Sequence, residues 1–289
     1  MRGAILGLAV LCTTPVAALS TPGVPSPRFF TLDRPDGRFG GEFLLSEVFL
    51  DSAESEFGGE AELHGRRLDL FIQAGFEQSG GGRHGGYLQI ARTSVTAEVG
   101  GGEEDLTCSL GPELGYVYVH PFDKSGEVVL RVGLTATGSD DFESLLASAL
   151  TSPARITDLA LFYPDVGLLR VAISPRGQLG RFFYQADIGV DLPAWGDNAE
   201  DADALMRANG AVGVALDVVE LGVELVNVIN PSEGDLEDGA LHTLTLGARF
   251  ALGAFRPGVA FTLPLDDGFE EIPGILQISL GAQLDDVIK

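Results

Sequence analysis

Residues 68–76 read Leu-Asp-Leu-Phe-Ile-Gln-Ala-Gly-Phe. In an extended chain Leu68, Leu70, Ile72, Ala74 and Phe76 share one side, while Asp69, Phe71, Gln73 and Gly75 share the other, because strand side chains alternate. A helix, with its period of about 3.6, would scatter the same residues around its circumference. The pattern recurs at 128–137, where Val128, Leu130, Val132, Leu134 and Ala136 oppose Arg131, Gly133, Thr135 and Thr137. It returns at 182–192, with Phe182, Tyr184, Ala186, Ile188, Val190 and Leu192 against Gln185, Asp187, Gly189 and Asp191. The last run, 276–284, sets Leu276, Ile278, Leu280, Ala282 and Leu284 against Gln277, Ser279, Gly281 and Gln283.

Collecting such runs predicts about twelve strands. They fall at 40–50, 60–77, 86–99, 105–119, 127–138, 166–174, 180–192, 208–217, 219–229, 240–251, 254–263 and 273–284. Most approach the roughly 9–11 residues that a tilted strand needs to cross a bilayer. A bundle of membrane helices is excluded, because even the stretch 212–229 is interrupted by Asp217, Glu220 and Glu224.

The connections alternate in length. The short set is 78–85, 120–126, 175–179, 217–219 and 252–254; the longer set is 51–59, 100–104, 139–165, 193–207, 230–239 and 264–272. Charge follows the same division. The longer set, taken with Asp105, holds more than half of the 42 acidic residues against Arg155 and Arg207, whereas the short set holds Arg83, Lys124 and Arg176 against Asp123 and Asp217. A soluble β-sandwich also has one apolar face per strand, but gives no reason for charge to sort by alternate connection. Bacterial outer-membrane barrels pair short periplasmic turns with long outer loops. The sequence thus predicts an all-β chain forming one closed antiparallel transmembrane barrel over 39–285, with both termini in the periplasm.

Arginine at mid-depth against lipid costs about 2–4 kcal/mol, so the polar faces are expected to line the lumen. The candidate lining residues are Arg92, Arg131, Arg170 and Arg249 with Asp69, Asp187 and Glu224. In an open pore these arginines face water; in a plugged barrel they pair with the acids. Aromatics near strand ends, among them Tyr116, Tyr118, Phe182, Trp195, Phe250 and Phe261, suit a membrane interface.

The N-terminus reads as a secretory signal over 1–20, with Arg2 at its start, an apolar stretch from Ala4 to Cys12 and small residues before Ser20. A Pro-rich leader at 21–38 is expected in the periplasm. Beyond the signal, Cys108 is the one cysteine, so no internal disulfide is available and a large hydrogen-bonded fold must supply stability.

With these strands, connections and terminal residues, the chain resembles the transmembrane β-barrel superfamily of outer-membrane proteins over its mature length. Its last strand carries Ser279, Gly281 and Leu284, which match three elements of the assembly signal of that superfamily. Asp286 stands where the signal has an aromatic. The resemblance implies residence in the outer membrane of a Gram-negative bacterium, with its lipid as a partner.

The connection 139–165 breaks the polar pattern. Residues 141–150 have helical spacing, and Ser152 with Pro153 reads as an N-cap and first-turn pair for a second helix to Phe162. A short helical segment is therefore expected at about 141–163. Leu145, Leu146, Leu150, Ile156, Leu159 and Phe162 form its apolar stripe and are the candidates for a constriction, if the loop folds inward rather than against other loops or a partner.

Chemistry is faint. His64, His84, His120 and His242 lack metal-ligand spacing, so no metal site or cofactor is expected. The pair His242 and Asp238 is the one tempting catalytic arrangement, and the chain is read as no enzyme. Acidic runs at 197–203, 233–238 and 266–271 read as a solvated surface, or alternatively as a rim holding Ca²⁺ or Mg²⁺. A net charge of −24 without a basic stripe argues against nucleic acid. The functional expectation is a narrow pore or transporter for small polar solutes or ions. The alternative is a structural or surface-interaction barrel with an occluded lumen, and a barrel-embedded hydrolase is the remote third.

Overall fold

The computed structural model describes residues 38–283, apart from 51–52, 55–59, 79–81, 100–101, 110, 123–124, 137–146, 148, 233–238, 267–268 and 270–271. The signal and most of the leader lie outside the described residues. The strands are β1 (Gly40–Phe49), β2 (Ala53–Glu54), β3 (Glu60–Glu77), β4 (Arg83–Val99), β5 (Gly102–Ser109), β6 (Glu113–Pro121) and β7 (Gly126–Thr135). They continue with β8 (Gly167–Leu179), β9 (Phe182–Trp195), β10 (Leu205–Ala215), β11 (Val219–Ile229), β12 (Ala240–Phe250), β13 (Phe255–Pro264) and β14 (Gly274–Gln283). Sequence neighbours pair antiparallel around the sheet, and β1 pairs with both β3 and β14. The sheet therefore closes on itself into a twelve-strand barrel, with β2 and β5 each paired on one side only.

The alternation resolves into inside and outside. On β7, Leu130, Val132 and Leu134 are 43%, 43% and 50% exposed, while Arg131 and Thr135 are 4% and 1% exposed. The same inversion runs round the molecule: Phe43, Leu70, Ile72, Ile173, Ile188, Val223, Leu246 and Ile278 point out, and Arg67, Arg170, Arg207, Arg249 and Gln277 point in. A soluble sandwich buries the opposite set. This exterior suits hydrocarbon.

Two boundaries differ from the sequence reading. The strand expected at 105–119 is broken into β5 and β6. Gln89 of β4 pairs with Glu113, and Arg92 pairs with Ser109, so the partner strand carries one residue more than β4 between those two pairs. This is a bulge at Gly111 and Pro112, and proline, which cannot donate to the ladder, is at home there. The turn expected at 175–179 also moves. The inward series Arg170, Ala172, Ser174 and Arg176 runs on through Pro175, and the chain reverses at Gly180, whose φ of 64° favours glycine.

A third correction concerns Arg92, expected in the lumen. Ala91, Thr93 and Val95 are the buried inward residues of β4, and parity turns Arg92 outward, where it is exposed. It sits where β3 and β4, at 18 and 17 residues, outrun the length needed to span the membrane. There the outer face changes from Leu70 and Ile90 to Arg66, Arg92 and Ser94, so Arg92 lies at the edge of the apolar belt.

Placing a charge within that belt is expected to be costly in proportion to depth. Leu134→Arg should lower the unfolding free energy in lipid vesicles by about 2–4 kcal/mol, and Arg92→Leu should change it by less than about 1 kcal/mol. Equal effects of the two substitutions on urea unfolding would contradict the inside-out assignment.

Candidate functional site

The connection between β7 and β8 enters the barrel. Its described part runs through a 3-10 helix, Ser152–Phe162, in which Ala154, Arg155, Ile156, Thr157, Asp158, Ala160 and Leu161 are all buried. The sequence suggested an α-helix capped by Ser152. Instead Thr151 holds the cap position without a side-chain cap bond, and the Ser152 hydroxyl donates back to the Ala149 carbonyl at 2.8 Å. The coil also kinks at Arg155, which has φ −151° and ψ 79°. Across this kink Arg155 Nε still reaches Asp158 Oδ2, three residues on, at 3.0 Å.

The segment has two unlike sides. Ile156, Ala160 and Leu161 pack on Leu168, Leu205, Val226 and Val228, joined by the half-buried Leu159 and Tyr163. Ala154 packs on Val48, Ile272 and Ile275, while Ala147 and Leu150 meet Ala91, Val95 and Cys108. Leu145 and Leu146 lie outside the described residues, and Phe162 is the last residue of the 3-10 helix.

The other side carries Asp158, wholly excluded from solvent. Its Oδ2 accepts from Arg67 Nη2 at 2.5 Å, Arg155 Nε at 3.0 Å and Gln89 Nε2 at 3.3 Å, and its Oδ1 from Arg170 Nη1 at 3.2 Å. Arg67, on β3, also grips Asp69 through Nε at 2.9 Å and Nη2 at 2.8 Å. Arg170, on β8, donates to Glu113 at 2.5 Å, to Asp191 at 3.1 Å and to the Thr157 carbonyl at 2.6 Å. Arg207 on β10 completes the cluster, with Nη2 2.8 Å from Asp191. From the opposite wall, Gln277 Nε2 donates to the Ala154 carbonyl at 2.9 Å. The segment is thus fastened across the lumen from both sides.

Among the expected lining residues, Asp69, Arg131, Arg170, Asp187, Glu224 and Arg249 all turn inward and are buried. Arg170 and Asp69 share the Asp158 cluster. Arg249 pairs instead with Glu42, and Asp187 accepts from Ser174 and from Asn209, the latter at 3.4 Å. Of these arginines, Arg170 meets Glu113, Asp158 and Asp191, and Arg249 meets Glu42. Arg155 and Arg207, counted in the sequence among the outer loops, belong to the lumen, as does Asp158. Arg83 and Arg176 are likewise wall residues rather than turn residues: both pair with Glu127, at 2.8 and 2.6 Å, near the short-turn end.

The sequence reading missed Arg67, Glu113, Glu127, Arg155, Asp158, Arg176, Asp191 and Arg207. Two signals were there to be read. Arg67 shares strand parity with Asp69, as Asp191 does with Asp187; and Arg155 and Asp158 are opposite charges three apart in an otherwise apolar segment.

The long-loop end is tied together above this cluster. Asn198 Nδ2 donates to the Pro164 carbonyl at 3.0 Å, and Asn230 Nδ2 to Asp203 at 3.0 Å. Hydrogen bonds from Asn230 and then Ser232 hold the Asp203 carboxyl below its ordinary range. Burial, followed by the charges of Asp203 and Asp191, pushes the Tyr163 hydroxyl up. His242 meets Asp266, at 2.8 Å, and Asp238 lies outside the described residues. Among the described residues no group of three or more His, Cys, Asp or Glu is placed to hold a metal ion. On the outer face near the short turns, His84 stacks on Phe76 and lies against Tyr116 and Tyr118, an aromatic band at the level where lipid meets water.

A closed barrel with an apolar exterior and a charged interior defines the class of outer-membrane β-barrels. No protein-family model matches the chain, and no curated protein matches it in sequence. Solved structures do. An outer membrane channel from Pseudomonas putida F1 superposes with a TM-score of 0.63 at 13% identity, over 89% of this chain and 98% of that one. The KdgM porin superposes with a TM-score of 0.50 at 10% identity, over 84% of this chain and 98% of that one. At these identities the likeness is one of fold, and the fold is that of outer-membrane β-barrel channels and porins.

Removing Arg170 leaves Glu113, Asp158 and Asp191 short of a cation in a site without solvent. Arg170→Met is expected to cost about 3–5 kcal/mol of unfolding free energy. Arg66→Met breaks the outward Arg66–Glu47 pair, 58% and 34% exposed, and should cost less than about 1 kcal/mol. Urea titration in lipid vesicles checks both; similar losses would show that the buried cluster carries no special weight.

Proposed function

We propose that the protein is an outer-membrane channel for small polar solutes or ions, seen here with its pathway closed by the segment between β7 and β8. The observation that carries this reading is the wholly buried Asp158 carboxylate, held by Arg67 and Arg170 of the barrel wall. A permanent filling is best made of apolar side chains, because burying ion pairs is often neutral or worse beside well-packed hydrophobic residues. A filling that must come away from the wall is different. An apolar contact, once parted, exposes grease to water, whereas parted carboxylates and guanidiniums are rehydrated. The charged side of the segment therefore suits a contact that opens.

The same reading places both termini in the periplasm of a Gram-negative bacterium, with lipid around the belt and neither nucleic acid nor catalysis involved. The acidic outer loops, where Asp197, Glu200, Asp201 and Asp203 are grouped, would concentrate cations at the mouth. A second reading, a structural barrel with a permanently occluded lumen, is favoured by one observation: Arg67, Arg170, Arg176 and Arg249 all have carboxylate partners.

Planar-bilayer recording separates the two. The wild-type barrel is expected to open rarely, and Asp158→Asn or removal of residues 147–162 should raise open probability by about tenfold or more, the scale of one lost charge-assisted contact. Silence from all three folded proteins would leave the occluded structural barrel.

A further inference from the structure

Asp158 reaches the wall as a methylene and a carboxylate, and what receives it is built from strands rather than from the segment. Arg67 on β3, Gln89 on β4 and Arg170 on β8 supply three donors within 3.3 Å of its two oxygens. All three side chains are buried, and the arginines are fixed from behind by Asp69, Glu113 and Asp191. The receptor is therefore positioned independently of its occupant. Arg67 also keeps one donor in reserve: its Nη1 is buried and has no hydrogen-bond partner among the described residues. A buried guanidinium N–H left unsatisfied costs free energy, which an acceptor reaching it would recover.

We infer that Arg67, Gln89 and Arg170 form a carboxylate-recognition site in the lumen wall. The protein's own Asp158 occupies it in the closed barrel, and a small solute bearing one carboxylate takes it over when the segment withdraws. This rests on the channel reading and names the solute class for it. The occupant sets the single carboxylate: Asp158 brings one, and its two oxygens take the donors of Arg67, Gln89 and Arg170. Bidentate guanidinium donors also match a planar carboxylate better than a spherical halide. The acidic loops at the mouth repel polyanions more strongly than a single carboxylate. Because Asp158 is tethered, it competes as an intramolecular ligand at high effective concentration. Solute binding and withdrawal of the segment are then coupled, each favouring the other.

The test uses propionate, which reproduces the aspartate side chain with one carbon to spare, against neutral propionamide. Asp158→Ala vacates the site. In detergent, near-saturating propionate should raise the Tm of this variant by about 3 °C, and propionamide should leave it unmoved. Arg67→Gln in the same background should abolish the effect. If Asp158→Ala does not fold, Asp158→Asn, which keeps the volume and removes the charge, carries the same comparison. In bilayers, propionate should increase wild-type open probability about tenfold over propionamide at equal concentration. Absence of the Tm rise in a folded variant overturns the site whatever the currents do. Currents indifferent to propionate overturn its takeover by solute. A Tm rise with no current from any variant supports the recognition site and removes the channel reading instead.

Discussion

The Asp158 carboxylate, shut away from water between Arg67 and Arg170, is the contact on which the rest of the lumen is arranged. Each wall arginine that holds it is held in turn by an acid of the wall. Arg67 leans on Asp69, Arg170 on Glu113 and Asp191, and Asp191 lies beside Arg207. Remove the central carboxylate and the guanidiniums of Arg67, Arg155 and Arg170 each lose a partner in a dry place; remove either wall arginine and the carboxylate does. This mutual dependence explains why an otherwise apolar segment carries Arg155 and Asp158 at its middle, and why it crosses the barrel at their level.

The membrane imposes this arrangement. A strand in hydrocarbon must satisfy its backbone within the sheet, so the sheet closes; its outer face must be apolar, so polar side chains go inside. A barrel of twelve strands leaves too much interior for wall side chains alone, unlike a filled barrel of about eight. The connection between β7 and β8 fills the difference. It does so asymmetrically, with Ile156, Ala160 and Leu161 against Leu205, Val226 and Val228 on one side and the charged cluster on the other. An apolar anchor and a polar latch on the same short segment give it a side to stay on and a side to leave.

Much of this architecture was legible in the residues. Runs such as 68–76 and 128–137 separate cleanly into two faces, and the alternation of short and long connections fixes which ends are joined. The reading weakened where local signals conflict. In 86–99 both faces carry polar residues, Gln89 and Thr93 on one and Arg92, Ser94 and Thr96 on the other, so parity could not be assigned and Arg92 was placed on the wrong side. Pro175 resembles a turn but sits within β8, because Arg176 beyond it has a buried partner in Glu127, 49 positions away in the chain. The functional cluster was least legible of all. Its members come from positions 67, 89, 113, 158, 170, 191 and 207, and no local period relates them; strand pairing and the inward path of one loop bring them together.

The position of that loop is the claim to test most directly. Thr157 neighbours Asp158, is 1% exposed and offers its carbonyl to Arg170. With Thr157→Cys, a water-soluble thiol reagent applied to the folded barrel in liposomes should label this position far more slowly than a cysteine placed at the exposed Asp201. Labelling at equal rates would put the segment outside the lumen, and the closed channel built on it would be wrong.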